Sequence, residues 1–199
     1  MKKIRPEPSR DFRASLACAE AFQRLAEPFI SRISGDVREG RHDHPGSDFG
    51  DLIACAVNLA FALELYMKTL LGVFAVPVPP SHDLRKLHDA LPEGLRAELS
   101  RAYAAFSSKW VGRHASVTIA KGPSDTPSWN DFRQAGKDLP SVLARSSDLF
   151  QSWRYIWEFT VPENGQYQLH QFEYGLLLSA CKAAKAVTNK YIARGPLES

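Results

Sequence analysis

The distribution of apolar and polar residues predicts helices along most of the chain. The longest apolar run is Asp51–Val76, DLIACAVNLAFALELYMKTLLGVFAV, in which Glu64 and Lys68 are the only charged residues after the first position. A helix that is apolar on nearly every face is typical of a membrane span or of the central helix of a helical domain. We favour a central helix, because Asn58, Glu64 and Lys68 would be costly in lipid.

Shorter segments with helical periodicity on both sides of this run supply the rest of a bundle. They cover residues 9–33, 81–91, 93–110, 128–143 and 167–192. The pattern predicts an all-α, up-and-down bundle of about five main helices. We expect one domain over residues 9–195, after a disordered tail at residues 1–8. Two stretches rich in Gly and polar residues, 35–50 and 112–128, are predicted to be mobile loops, and Val117–Ala120 within the second has strand character.

The composition is that of an ordinary globular protein, with 44% hydrophobic and 24% charged residues. The formal net charge of +3 is too small to indicate nucleic-acid binding by itself. The cysteines, Cys18, Cys55 and Cys181, are odd in number and lie in apolar helical patterns, which favours buried reduced thiols over a disulfide framework. The basic N-terminal residues are not followed by an apolar segment, so we expect no secretory signal and a cytoplasmic protein.

Two short polar motifs flank the proline-rich end of the central helix. Within ELYMK, Glu64 and Lys68 are four residues apart in the order that favours an ion pair on one helical face. The second motif, SHDLRKL, is predicted to open a short helix that Ser81 caps and that carries His82.

A third motif, WRYIWE, lies in the most aromatic part of the chain. Arg154 and Glu158 are four residues apart among four aromatic side chains, so their charged groups are expected to be half-buried and to need partners. Glu64 is the predicted partner of Arg154, because an arginine fork would hold the late helices against the central one.

The order of these three motifs resembles the HEPN domain family, α-helical proteins of prokaryotic toxin–antitoxin, nucleotidyltransferase-partner and defence systems. The resemblance covers residues 50–192 and implies a HEPN-like bundle that forms a homodimer. Aromatic residues expected to be exposed would be buried by such pairing. These residues are Trp110, Trp129, Trp153 and Trp157.

The polar residues of the three motifs are predicted to form one ligand-binding cluster between the central and late helices. Its members are Glu64, Lys68, His82, Arg154, Tyr155 and Glu158. Two interpretations stay open. The cluster is either a paired structural network, or a pocket for a nucleotide, a phosphate or RNA, in which cations meet the anion and Tyr155 stacks on a base.

A catalytic assignment has less support. Many HEPN proteins are metal-independent endoribonucleases whose motif is an Arg followed a few residues later by a His near the start of the last helix. No Arg precedes His170 at that distance, and the only match is Arg38 with His44, in the loop before the central helix. In this alternative, His44 would act as general base or acid and Arg38 would stabilise the charged phosphorane. A nonstandard set with Arg154 and His82 is the second enzymatic alternative, and in the leading prediction no residue is catalytic.

Metal and cofactor sites are not predicted. His42 and His44 with Asp48 would need a rigid third ligand, and the chain has no phosphate-binding Gly loop, paired Cys motif or nucleophile elbow.

The leading prediction is a non-catalytic HEPN-like module that binds RNA, a nucleotide or a protein partner such as an antitoxin or a nucleotidyltransferase. The alternatives are a metal-independent endoribonuclease and a purely structural or interaction protein, in each case without a membrane segment.

Overall fold

A computed structural model of the chain describes residues 11–38, 47–110, 117–121, 136–147, 149 and 168–193. These residues form six α-helices and two short strands, with a single 3-10 turn (Ser108–Trp110) after the fourth helix. In chain order they are α1 (Phe12–Arg38), α2 (Ser47–Val73), α3 (Leu84–Asp89), α4 (Glu93–Ser107), β1 (Val117–Lys121), α5 (Leu139–Arg145), β2 (Gln168–Phe172) and α6 (Tyr174–Ala193). The predicted all-α bundle is confirmed, with one two-stranded ladder added to it.

Helix α2 is the central element of the bundle. It packs most extensively against α1 and also contacts α3 and α6, while α4 packs against α6. Leu59, Leu63, Tyr66 and Leu70 of α2 are each at most 1% exposed. From Gly50 to Val73 this helix is long and apolar enough to cross a membrane, but 56% of its apolar window is buried inside the structure, as in the core helix of a globular domain.

The C-terminus of α2 lies three residues earlier than the apolar run suggests. The amide of Val76 donates to the carbonyl of Leu71 at 2.9 Å, and the amide of Ala75 donates to that of Gly72 at 3.1 Å. Ala75 has a φ of 53°, so the chain turns through a left-handed residue, as in a Schellman motif. The residue before a proline avoids the helical region, and Pro77 therefore forces the turn before the apolar run has ended.

The connection between α1 and α2 is shorter than the predicted loop at 35–50. Helix α1 continues through Gly35 to Arg38, and α2 already begins at Ser47. At the other end of α1, the Asp11 carboxylate accepts from the amides of Arg13 and Ala14, both at 3.0 Å, and so caps the helix.

The two strands correct the start of the predicted last helix, while β1 lies where Val117–Ala120 was predicted to have strand character. Strands β1 and β2 pair antiparallel, from Val117 opposite Phe172 to Lys121 opposite Gln168. The last helix was predicted to begin at Tyr167 because Leu169 and Phe172 continue its apolar spacing, but α6 begins at Tyr174. Since the paired strands are far apart in the sequence, local periodicity could not reveal the ladder.

Trp110 is buried, which removes it from the predicted exposed dimer surface. It is 8% exposed and packs edge-on against Tyr174, with ring centroids 5.8 Å apart. Gly175 permits this contact, because a Cβ at that position would lie 2.6 Å from the Trp110 ring. Trp129, Trp153 and Trp157 lie outside the described residues.

The cysteines divide into two buried thiols and one exposed thiol. Burial raises the pKa of Cys55 to about 12 and also raises that of Cys181. All three are free, and Cys18 is exposed, contrary to the prediction that each thiol would be buried.

Candidate functional site

A buried carboxylate in the middle of α2 forms the base of the candidate site. Glu64 is 2% exposed, and its Oε1 accepts a hydrogen bond from Nζ of Lys68 at 2.7 Å. The Nδ1 atom of His82 lies 3.0 Å from both carboxylate oxygens. Because a carboxylate only accepts hydrogen bonds, Nδ1 of His82 carries the hydrogen in this contact.

The sequence brings these three groups together through two local features. Glu64 and Lys68 share a face of α2 because they are one helical turn apart. His82 lies in the connection after α2, and not within α3 as predicted. The cap of α3 is Asp83, whose carboxylate accepts from the amides of Arg85 and Lys86 at 2.9 and 3.1 Å. With Asp83 engaged in capping, the preceding His82 extends back to α2.

Exposure increases from the base of the cluster to its rim. The side chain of Glu64 is 3% exposed, that of Lys68 is 27% exposed and that of His82 is 51% exposed. An unpaired carboxylate at the depth of Glu64 would cost several kcal/mol, so the two donors stabilise the core around it. The same contacts hold an ammonium and an imidazole in fixed positions at the surface. Chemically, the cluster can present a cation and an oriented imidazole to an anionic ligand.

Only part of the predicted site can be located. Glu64, Lys68 and His82 come together as the prediction required. The remaining members of the cluster, Arg154, Tyr155 and Glu158, lie outside the described residues, as does His44 of the alternative catalytic pair. Arg38 is the last residue of α1.

A different arginine–glutamate pair, not predicted from the sequence, joins α5 to the start of α6. Nε of Arg145 lies 3.1 Å from Oε2 of Glu173, and Nη2 lies 3.0 Å from each of its oxygens. Nη2 also donates to the carbonyl of Gly136 at 2.8 Å, and the hydroxyl of Tyr103 donates to that of Lys137 at 2.9 Å. Only the apolar surroundings of Glu173, at the start of a buried helix, signalled that this carboxylate needs a partner.

A second unpredicted group joins α4 to α6. The Glu98 carboxylate accepts from Nζ of Lys190 and from the hydroxyl of Tyr191, the latter at 2.7 Å. Burial acts to raise the pKa of Glu98, but the bonds from Lys190 and Tyr191 outweigh it and leave the pKa below its ordinary value. Glu98 and Lys190 border an open groove of about 490 Å³, which Arg101, Ala102, Ala186 and Val187 also line.

Among the described residues, no group of three or more His, Cys, Asp or Glu side chains is placed to hold a metal ion. Comparison with protein-family models, with curated proteins and with solved structures finds no match to this chain. The functional interpretation therefore depends on the arrangement of its own side chains.

Proposed function

We propose that this chain is a non-catalytic HEPN-like module that binds phosphate groups of RNA or of a nucleotide at the Glu64 cluster. The observation that supports this function is the exposed imidazole of His82, which both oxygens of the buried Glu64 hold in one orientation. Lys68 places an ammonium beside the same carboxylate.

The exposure of His82 favours a binding role over a purely structural one. A donor that only pairs with a buried carboxylate does not have to reach solvent, yet the His82 side chain is about half exposed. Nδ1 of His82 contacts Glu64, so Nε2, on the other side of the ring, points away from that carboxylate. In the protonated ring, Nε2 donates a charge-assisted hydrogen bond of the kind that phosphate oxygens accept. Lys68 supplies the positive charge that phosphate contacts require.

The wider setting of this proposal rests on the resemblance to HEPN domains. In it, Arg154 and Glu158 complete the polar site and Tyr155 stacks on a base. The module acts in the cytoplasm as a homodimer in a toxin–antitoxin or defence system, with an antitoxin or a nucleotidyltransferase as its protein partner.

One observation favours a second candidate, a metal-independent endoribonuclease. A histidine oriented by a carboxylate through Nδ1 is an arrangement suited to general acid–base chemistry at Nε2. The contact between His82 and Glu64 has this form. In this candidate, His82 takes the proton from a ribose hydroxyl. The pair Arg38 and His44 is the other possible catalytic set, based on its spacing alone.

The test compares RNA binding and RNA cleavage in the same samples, in buffer containing EDTA. The variants are His82→Ala and Lys68→Met. The control is Lys86→Met, which removes a charge from the 73% exposed side chain of Lys86 on the neighbouring α3. Binding of a labelled single-stranded RNA is measured by filter retention at several salt concentrations, cleavage by gel electrophoresis and folding by the melting temperature.

We expect both site variants, but not Lys86→Met, to weaken RNA binding by the folded protein by more than their loss of stability explains, because each variant leaves the buried Glu64 with one of these two donors. Loss of one phosphate contact in Lys68→Met should also reduce the slope of log K against log salt by about 0.7. Equal binding by all four proteins would overturn the proposal. Cleavage that is lost in His82→Ala would favour the endoribonuclease. A lower melting temperature with unchanged binding would assign the cluster a structural role only.

A further inference from the structure

The groove between α4 and α6 has the size and the mixed lining of a small-molecule site. Its volume of about 490 Å³ lies within the range of roughly 300–1,000 Å³ that such sites occupy. Half of the lining side chains are apolar and half are charged. They are Ala102, Ala186, Val187, Glu98, Arg101 and Lys190.

The carboxylate in this lining is already paired. Oε1 of Glu98 accepts from Nζ of Lys190, and Oε2 accepts from the hydroxyl of Tyr191 at 2.7 Å. The charge of Lys190 therefore balances that of Glu98. An ammonium group has three hydrogens, and the contact with Oε1 uses one of them, so Lys190 can also donate to a ligand.

The other charges beside the groove are positive. Arg101 is exposed about one turn after Glu98, and it forms no hydrogen bond or ion pair within the described part of the chain. Lys182 is half-buried one turn before Ala186 and likewise has no carboxylate partner in that part. Helix α6 contains no acidic residue. The groove therefore combines an excess of positive charge with an apolar surface.

We infer that this groove binds a small organic anion, namely a carboxylate that carries a short aliphatic chain. The guanidinium of Arg101 and the remaining hydrogens of Lys190 donate charge-assisted hydrogen bonds to the carboxylate of the ligand. Its aliphatic chain covers the methyl groups of Ala102, which is half-buried, and Ala186, which is exposed. Removing these methyl groups from water favours binding.

Other small ligands fit the lining less well. An organic cation would face Arg101 and would find the carboxylate of Glu98 already paired. An inorganic anion could bind the same cations but would leave the alanine methyl groups in water. This inference is independent of the proposed function, because no residue of the Glu64 cluster lines the groove.

The test uses three probes on the full chain. Hexanoate is compared with hexylamine, which has the same aliphatic chain and the opposite charge, and with acetate, which has the carboxylate and lacks the long chain. Binding is followed by NMR of the protein with ¹³C-labelled alanine methyl groups, and the variants Ala102→Ser and Ala186→Ser assign the two signals of the groove. The site variants are Arg101→Met and Ala186→Leu. The control is Arg13→Met, which removes an exposed arginine from α1.

We expect hexanoate to shift the signals of Ala102 and Ala186 and to bind at least about fivefold more tightly than either other probe. Arg101→Met should weaken hexanoate binding by about fivefold at an unchanged melting temperature, because the lost side chain is exposed. Ala186→Leu should abolish binding by filling the groove, and Arg13→Met should have no effect.

Three results would overturn the inference. Equal binding of hexanoate and hexylamine would show that the positive charges do not select the ligand, and full binding by Arg101→Met would have the same meaning. Equal binding of hexanoate and acetate would show that the apolar lining contributes nothing. Shifts confined to other alanine signals would place the ligand outside the groove.

Discussion

Replacement of Arg145 by Met should destabilise the protein far more than loss of an ordinary surface ion pair. The substitution keeps most of the aliphatic volume of the side chain and removes the guanidinium. Glu173, which is 8% exposed, then loses all three hydrogen bonds that Arg145 donates to it. The carbonyl of Gly136 loses its donor as well.

The expected cost follows from the burial of the two side chains. Breaking a fully buried ion pair by removing one partner costs about 3–5 kcal/mol, whereas an exposed pair contributes about 0–1 kcal/mol. The side chain of Glu173 is 10% exposed and that of Arg145 is 29% exposed, so solvent compensates part of the loss. We expect a cost of about 2–3 kcal/mol in the free energy of unfolding. For a chain of this size, that lowers the melting temperature by roughly 4–12 °C.

Arg85→Met is the matched control, because Arg85 also binds a carboxylate through Nε. Nε of Arg85 lies 2.8 and 2.9 Å from the two carboxylate oxygens of Asp89, but the side chains of Arg85 and Asp89 are 41% and 44% exposed. Chemical denaturation should show a loss of at most about 1 kcal/mol for this control. In the double variant of Arg145→Met with Glu173→Met, stability should be partly recovered, because the unpaired carboxylate is gone. If Arg145→Met costs no more than the control, the burial of the pair has no energetic consequence.

Four further predictions test other parts of the structure. Gly175→Ala should cost about 1–3 kcal/mol in chemical denaturation, because its Cβ would overlap the neighbouring tryptophan ring, while Gly94→Ala, with open space around it, should not destabilise. Ala75→Gly should raise the melting temperature through a gain of up to about 1 kcal/mol, because it removes a left-handed non-glycine residue. Thiol titration of the folded protein should label Cys18 at once and the two buried thiols only on unfolding. Burial lowers the pKa of His88, although its hydrogen bond to the adjacent aspartate opposes the shift. The stability of the wild type should therefore decrease as the pH falls below about 6.5, because the unfolded state binds the proton more readily. His88→Leu should make stability depend less on pH in this range.

Each of these predictions has a clear contrary result. An unchanged stability in Gly175→Ala would mean that the tryptophan ring shifts at little cost. A lower melting temperature in Ala75→Gly would show that chain entropy outweighs the relieved strain. Rapid labelling of all three thiols would contradict the burial of two of them. Equal acid sensitivity of wild type and His88→Leu would mean that other groups control the pH dependence.

The sequence was sufficient to predict the central helix but not the ladder beside the last one. Helix α2 is apolar on almost every side, so its burial follows from its own residues. The region around Leu169 and Phe172 satisfies helical spacing equally well, and its strand partner is remote in the chain. Which of the two structures forms there depends on tertiary contacts, which local periodicity does not contain.

The candidate site was predictable to the extent that local spacing determines it. One helical turn fixes Glu64 beside Lys68, and the proline-rich stop returns His82 to the same helix. The pairing of Arg145 with Glu173 depends on how α5 docks at the start of α6, which no local pattern specifies. The sequence analysis instead singled out Arg154, as a partner of Glu64, because Arg154 lies among aromatic residues.

The two carboxylate clusters differ in a way that bears directly on function. Glu64 and Glu173 are both buried, and Lys68 and Arg145 are similarly exposed, at 27% and 29%, whereas His82 is 51% exposed. A side chain that only pairs with a buried carboxylate does not have to reach solvent, although its burial carries a desolvation cost. A side chain that must also reach a ligand needs solvent access.

We therefore expect changes at the two sites to have separate effects. Arg145→Met should lower the melting temperature without affecting RNA binding by the folded protein, and His82→Ala should weaken that binding in addition to the stability that it loses by removing a donor to Glu64. If Arg145→Met and His82→Ala each reduce both stability and RNA binding, the Arg145–Glu173 pair and the Glu64 cluster do not differ in role.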